Sequence, residues 1–122
     1  MSNSRQRTGD YGERLAAEYL RQQHYRIVDT KWRCAYGEID IVAQKSETLV
    51  FVEVRTRRSR LTSVAFASVT PAKQEKLVRA VHTYLHEHKL DEQTLWRIDV
   101  IAIALVPGRK PQIDHAEDAL GW

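Results

Sequence analysis

Residues 37–57, GEIDIVAQKSETLVFVEVRTR, contain two strand-like segments joined by a short polar turn. Apolar and polar residues alternate before the turn, and valine is frequent after it, a pattern typical of a β-hairpin. A tight turn centred on Ser46-Glu47 fixes the register of the two strands. That register places the Asp40 side chain directly opposite that of Glu53.

The facing carboxylates of Asp40 and Glu53 destabilise a hairpin unless something lies between them. Directly opposed side chains have Cβ atoms about 5 Å apart, and carboxylates at that distance repel unless a proton or a cation separates them. A hard divalent cation with oxygen ligands, Mg²⁺ or Mn²⁺, is the natural occupant. The hairpin therefore predicts a metal site at this pair. The same register places Glu38 opposite Arg55, which predicts a cross-strand ion pair.

The composition indicates one globular domain in a reducing compartment. The chain has 122 residues, of which 43% are hydrophobic and 29% charged, as is ordinary for such a domain. Residues 1–10 show no apolar core, so we expect no signal peptide, and the longest apolar run, Val100–Val106, is too short to span a membrane. The single Cys34 allows no internal disulfide and no cysteine-based zinc site, which favours the cytoplasm.

Hydrophobic periodicity predicts an α+β domain over residues 9–122, preceded by a disordered tail over residues 1–8. The predicted elements are a helix over 9–23, a strand over 25–32, the hairpin, a helix beginning at Thr70-Pro71, a strand over 95–106 and a short edge strand at 112–113. Gly12 falls within the apolar stripe of the first helix. Its missing side chain would let that helix lie close to the sheet.

A basic segment follows the hairpin. Between Arg55 and Gln74 the chain has no acidic residue, and its positive charges include Arg57, Arg58, Arg60 and Lys73. A one-sided basic surface suits a phosphate backbone, so these four residues are candidates for binding nucleic acid. The alternative is a solvated loop and, for Lys73, an ordinary solvent-facing side chain.

Other charged residues are candidates of lesser weight. Glu13 borders the apolar stripe of the first helix and could reach a metal at the hairpin. Asp99 follows Arg97 on the same strand face, which favours a structural ion pair. His82 and His86 have a spacing that can bind metal, but the sequence offers no clear third ligand.

The quoted hairpin also resembles the core of the PD-(D/E)XK nucleases. Their pattern is an acidic residue, a spacer, and then (D/E)-x-K at the end of the next strand, which Asp40 and FVEVR match except at Arg55. The whole chain resembles the YraN-like family of small bacterial proteins, relatives of Holliday junction resolvases. The matching segments, over roughly residues 9 to 106, are GDYGERLAAEYL, GEIDIVA, VFVEVRTR, SVTPAKQEKL and WRIDVIAI.

This resemblance implies a restriction-endonuclease-like core, a mixed β-sheet with flanking helices in α-β-β-β-α-β order. It implies Mg²⁺ or Mn²⁺ bound by Asp40, Glu53 and Glu13, with Arg55 completing the catalytic set of a DNA endonuclease, with branched DNA as one candidate substrate. A guanidinium stabilises charge but stays protonated, so Arg55 cannot move a proton as the usual lysine can.

Position 55 therefore keeps an alternative function open, a nuclease-fold protein that binds nucleic acid without cutting it. A generic interaction domain explains the basic segment but leaves the Asp40–Glu53 pair without a role. We expect no membrane partner, and the sequence leaves open a homodimer.

Overall fold

A five-stranded mixed sheet carries the fold, in a computed structural model that describes residues 3–120. The elements are α1 (Ser4–Gln22), β1 (Arg26–Cys34), β2 (Gly37–Lys45), β3 (Thr48–Arg57), α2 (Thr62–Ala67), α3 (Pro71–Glu87), β4 (Leu95–Ala104) and β5 (Gln112–Ala116). The strands lie in chain order across the sheet, and only β3 and β4 pair in parallel. The α2–α3 connection supplies the crossover that a parallel pair requires. The expected single α+β domain is confirmed.

The central strand, β3, sends alternate side chains into two cores. Val50, Val52 and Val54 lie in a cluster with Ala16 and Leu20 of α1. Phe51 lies in a second cluster, together with Leu77, Val81 and Tyr84 of α3. One helix therefore covers each face of the sheet, as the period of two along a strand requires.

The hairpin register is the one expected from its turn. Ile41 pairs with Val52, and the ladder runs from there to the turn. The next pair in the same register is Asp40 with Glu53, immediately beyond the last regular pair. The register therefore brings the two carboxylates to the point where β2 and β3 stop pairing.

Gly12 sets the distance between α1 and the sheet. A Cβ atom built on Gly12 would lie 1.8 Å from Oγ1 and 2.9 Å from Cβ of Thr56 on β3. No side chain fits there, so the expectation of a close helix–sheet contact at this glycine is confirmed. The contact also fixes the position of the next residue, Glu13.

The first helix is longer than its apolar stripe indicates. It begins at Ser4 rather than at Gly9, so residues 4–8, expected to belong to a disordered tail, are helical. The physical reason is a cap, because the Asn3 side chain accepts a hydrogen bond of 2.8 Å from the Gln6 amide. Residues 1–2 of the expected tail and residues 121–122 of the expected domain lie outside the described residues.

The basic segment is also more ordered than expected. Arg57 still belongs to β3, and residues 62–67, expected to lie in a loop, form the short helix α2. A helix of this length shows no measurable apolar period, and its one buried side chain, Ala65, is too small to signal a core position. At the other end of the chain, β5 reaches Ala116 instead of Ile113.

No helix within residues 3–120 has both the length and the apolar character that crossing a bilayer would require.

Candidate metal centre and basic clefts

Three carboxylates meet at the end of the hairpin. Glu13 of α1 and Glu38 and Asp40 of β2 each place one oxygen within 4.8 Å of the others. Glu53 and Arg55 of β3 line the same cleft. The structure thus brings together all four residues of the expected catalytic set and adds Glu38, for which the hairpin register predicts only an ion pair with Arg55.

The Asp40 carboxylate is built into the sheet. Its Oδ2 accepts a hydrogen bond of 2.8 Å from the amide of Val54. Burial raises the pKa of Asp40 well above its ordinary value, hydrogen bonding with Glu53 and the Glu53 charge raise it further, and the Val54 amide offsets only part of this. A bound proton or cation therefore stabilises this carboxylate relative to its bare anion.

The expected ion pair between Glu38 and Arg55 is wrong. Glu38 contacts Arg33 of β1, with 2.9 Å between Oε2 and Nε. Arg55 instead lies against Glu53, with 3.5 Å between Nη2 and Oε2. The reason is that regular pairing ends before these residues, since Asp40 rather than a backbone carbonyl bonds the next amide of β3.

One hydrogen-bond donor of the Arg55 guanidinium has no partner in the part of the chain that the structure describes. Its Nε is buried and has no hydrogen-bond partner within residues 3–120. Its neighbour Glu53 is only 9% exposed, so the guanidinium and the carboxylate form a mostly buried unit at the cleft wall. A buried donor without a partner is uncommon and is suited to bind an oxygen supplied by a ligand.

Glu13 is held by a cation that the sequence analysis did not single out. Lys31 Nζ lies 2.7 Å from Glu13 Oε2 and 2.9 Å from Asp10 Oδ1. Burial raises the pKa of Glu13, the Lys31 hydrogen bond lowers it, and the Asp40 charge raises it again. The spacing of Asp10 and Glu13, three residues apart on one helix, is the only sequence signal that pointed to a shared cation.

The arginines that follow Glu53 divide between two clefts. Arg57 and Arg58 line one cleft together with Arg5 of α1, and Arg5 and Arg57 also line the acidic cleft. Arg60 lies elsewhere, in a cleft formed with Arg109 and Lys110 of the β4–β5 loop. These three arginines therefore lie on two surfaces, of which only the first adjoins the carboxylates.

Lys73 lies on the opposite side of the acidic cleft. It lines a groove between α3 and the hairpin together with Lys76, Glu53 and Arg55. Lys73 and Lys76 make no ion pair within residues 3–120. The carboxylates thus lie between a groove with lysines and a cleft with arginines.

Asp99 has the structural role expected for it. It is fully buried, and its carboxylate lies 3.0 Å from Arg97 Nε and 2.7 Å from His115 Nε2. Burial alone would raise the pKa of Asp99, but bonds from His115, Arg97 and the Asp118 amide outweigh burial and lower it. This network ties β4 to β5 and does not line the acidic cleft.

His82 and His86 join no metal-ligand group of three within the part of the chain that the structure describes. The His82 ring packs edge-on against Trp96 at 5.5 Å between centroids. Packing therefore accounts for His82.

The fold and the site define a class, a single α+β domain with a carboxylate cluster at the end of a central hairpin and basic clefts on both sides. The chain belongs to the family described as uncharacterised protein family UPF0102, whose family model matches residues 12–103.

Relatives from several bacteria resemble the chain over nearly its full length. A UPF0102 protein of Roseiflexus castenholzii is 46% identical over 116 residues, which cover 94% of each chain. One from Chloroflexus aurantiacus is 44% identical over 121 residues, covering 99% of this chain and 98% of the relative. One from Geobacter sulfurreducens is 45% identical over 112 residues, covering 91% and 86%.

Proposed function

We propose that this protein is a metal-dependent endonuclease of the PD-(D/E)XK type that hydrolyses phosphodiester bonds in DNA, with branched DNA as a candidate substrate. One observation carries the proposal. Asp40 and Glu53, the acidic residues of the motif, share a cleft with Glu13, Glu38 and Arg55. The buried Nε of Arg55 has no hydrogen-bond partner within residues 3–120.

The donor set fits a hard divalent cation. All the cluster ligands are carboxylate oxygens, and Mg²⁺ and Ca²⁺ bind oxygen at about 2.0 to 2.6 Å. Two ligands on opposite sides of such an ion are therefore about 4 to 5 Å apart, and the oxygens of Glu13, Glu38 and Asp40 lie within 4.8 Å. Asp40 and Glu13 would hold Mg²⁺ or Mn²⁺ together with Glu38, and Glu53, which lines the same cleft outside this group of three, is the fourth candidate ligand.

The chemistry divides between the ion and the chain. A bound divalent cation lowers the pKa of a coordinated water and polarises the phosphoryl oxygen. Arg55 adds a fixed positive charge and a free Nε–H donor where negative charge develops in phosphoryl transfer. Because a guanidinium does not deprotonate, Arg55 does not accept the proton of the attacking water, which would pass to another group such as a substrate phosphate oxygen or solvent.

The surrounding charges favour a polyanionic substrate. Lys73 and Lys76 lie on one side of the carboxylates, and Arg5, Arg57 and Arg58 lie on the other. A phosphate backbone that runs between the two sides would pass over the cleft and meet cations at both ends. The carboxylates alone would repel such a substrate, so the flanking charges are needed for binding.

A second candidate is a nucleic-acid-binding protein without cleavage activity. The observation that favours it is the contact between Arg55 and Glu53, which neutralises one of the two motif carboxylates without a metal. In that case the basic clefts bind DNA and the acidic cleft has no catalytic role.

Incubation of purified protein with duplex, single-stranded and four-way branched DNA in Mg²⁺ or Mn²⁺ tests the two candidates. Glu53→Gln should abolish cleavage. Glu47→Gln is the matched control, because Glu47 is exposed in the turn at the far end of the same hairpin and loses the same charge. Cleavage by the wild type and the control alone supports the nuclease. Binding with no cleavage above the Glu53→Gln background supports the second candidate.

A further inference from the structure

We propose that Lys31 is a tethered cation that pairs with Glu13, one member of the carboxylate cluster, in the metal-free protein and leaves Glu13 when a divalent ion binds. The inference rests on the proposed metal site and adds its regulation. Lys31 thereby sets how tightly the site binds metal, and a chain without this ammonium binds metal more tightly.

The contacts of Lys31 show why the two cations compete. Its Nζ lies 2.7 Å from an oxygen of Glu13, and Glu13 belongs to the group whose ligand oxygens all lie within 4.8 Å. An ion bound to the same carboxylate would lie about 2.0 to 2.6 Å from its oxygen. Two positive charges would then share one carboxylate at close range, and their repulsion disfavours simultaneous binding.

The backbone directs Lys31 to this place. In the β1–β2 ladder Thr30 pairs with Ile41 and Trp32 pairs with Ile39, so Lys31 stands across from Asp40. Lys31 has a φ of 51°, a left-handed conformation that is uncommon for a residue with a Cβ atom. Tertiary contacts must hold such a conformation, and the ion pairs of this side chain with Asp10 and Glu13 are contacts of that kind.

The degree of exposure makes exchange feasible. The Lys31 side chain is 46% exposed and that of Glu13 is 19% exposed, so the ammonium can swing into water without opening the core. The pair Arg97–Asp99 differs, because its carboxylate is fully buried and has further partners. Hydrogen bonds to Glu13 and Asp10 raise the pKa of Lys31, which keeps it charged at any physiological pH. A divalent ion that binds Glu13 therefore meets a charged competitor at that carboxylate.

Calorimetric titration with Mn²⁺ tests the exchange. Lys31→Met removes the charge and keeps most of the aliphatic stem, and we expect it to tighten Mn²⁺ binding about tenfold, within the usual range of a coupling between two sites. Lys45→Met is the matched control. Lys45 lies near the turn of the hairpin, with its Nζ over the Tyr25 ring at 4.9 Å, and its loss should change the affinity less than about twofold.

Two further variants protect the test against loss of folding. Lys31→Gln is a second neutral variant and should also tighten binding, whereas Lys31→Arg keeps the charge and should bind Mn²⁺ as the wild type does. Circular dichroism checks that each titrated variant is folded. Tighter Mn²⁺ binding by both neutral variants, together with wild-type affinity in Lys31→Arg, supports the exchange.

The contrary results separate the two proposals. If the wild type binds Mn²⁺ and the folded neutral variants bind it no more tightly, the exchange is wrong and the metal site stands. If neither the wild type nor Lys31→Met binds Mn²⁺, with or without a short DNA duplex, both the metal site and the exchange are wrong.

Discussion

The amide of Val54 donates a hydrogen bond of 2.8 Å to Oδ2 of Asp40, so a side-chain carboxylate continues the β2–β3 pairing where the backbone ladder ends. The carboxylate is held in place by β3 itself. It cannot turn away from Glu53 to relieve the repulsion, and the site is therefore arranged before any ligand binds.

Neutralising Asp40 should stabilise the metal-free protein. The folded state raises the pKa of Asp40 above its ordinary value of 3.8, so it binds a proton there more tightly than the unfolded chain does. Wild-type stability consequently falls as the pH rises from the ordinary pKa through the raised one. Asp40→Asn keeps an acceptor for Val54 and should raise the free energy of unfolding by about 1 kcal/mol or more at about pH 8.

The advantage of Asp40→Asn should shrink towards about pH 4, where the wild-type carboxyl is itself neutral. Thermal melts of both proteins across this range in EDTA measure the difference. A variant less stable than the wild type at every pH would mean that the carboxylate is not under electrostatic strain.

Divalent metal should stabilise the wild type. An ion that binds only the native state at a hundred times its Kd adds about 2.7 kcal/mol. Differential scanning fluorimetry with Mg²⁺ or Mn²⁺ should show a rise in Tm that Glu53→Gln and Asp40→Asn remove. Glu47→Gln should retain the rise, and an equal rise in all four proteins would indicate binding elsewhere.

Arg55 should act on the cleavage rate more than on DNA affinity. Loss of one preorganised electrostatic contact typically costs about a hundredfold or more in rate, and we expect this for Arg55→Ala under single-turnover conditions. Arg55→Lys supplies the same charge and should keep much of the activity. If Arg55→Ala lowers Tm and affinity but leaves a measurable rate unchanged, Arg55 is a structural partner of Glu53.

The cleft with Arg57 and Arg58 and the cleft with Arg60 should differ in their contribution to DNA binding. Arg57 and Arg58 adjoin the acidic cleft, so replacing both with Ala should flatten the slope of log affinity against log salt by about two units. Arg60→Ala, in the separate cleft, should have a smaller effect on a short duplex. Equal effects per arginine would mean that the bound duplex reaches both surfaces.

Adding a methyl group at Gly12 should destabilise the protein. Ala at this position meets Thr56 at an impossible distance, and overpacking of this kind costs about 1 to 3 kcal/mol. Gly9→Ala is the matched control in the same helix, because nothing lies within 4 Å of its added Cβ, and better helix propensity should stabilise it by about 1 kcal/mol. Urea titration measures both. Since α1 must move away from β3, Gly12→Ala should also weaken metal binding through Glu13.

The sequence was sufficient for the parts of the site that depend on local regularity. Side-chain alternation and a short turn determine the β2–β3 register, so Asp40 and Glu53 could be paired without a structure. Gly12 could be placed against the sheet because a glycine within an apolar helix stripe leaves room for the backbone of a neighbouring element.

The remaining parts of the fold and site depend on where regular strand pairing and regular backbone conformation end. Glu38 turns to Arg33 rather than Arg55 because the ladder stops at Ile41 and Val52, three residues before the pair that extrapolation assumes. Lys31 reaches Glu13 from a strand residue with a left-handed backbone, which no propensity of lysine predicts. The helix over residues 62–67 is too short to show a period.

The burial of Asp40 next to Glu53 also has a consequence for directed evolution of this chain. A library selected only for heat resistance should accumulate a neutral residue at Asp40, because that change removes the repulsion and leaves both the backbone and the Arg55 partner of Glu53 in place. A library selected for activity should keep both acids at lower heat resistance. A position where the two selections diverge would therefore identify a working residue from the surviving sequences alone.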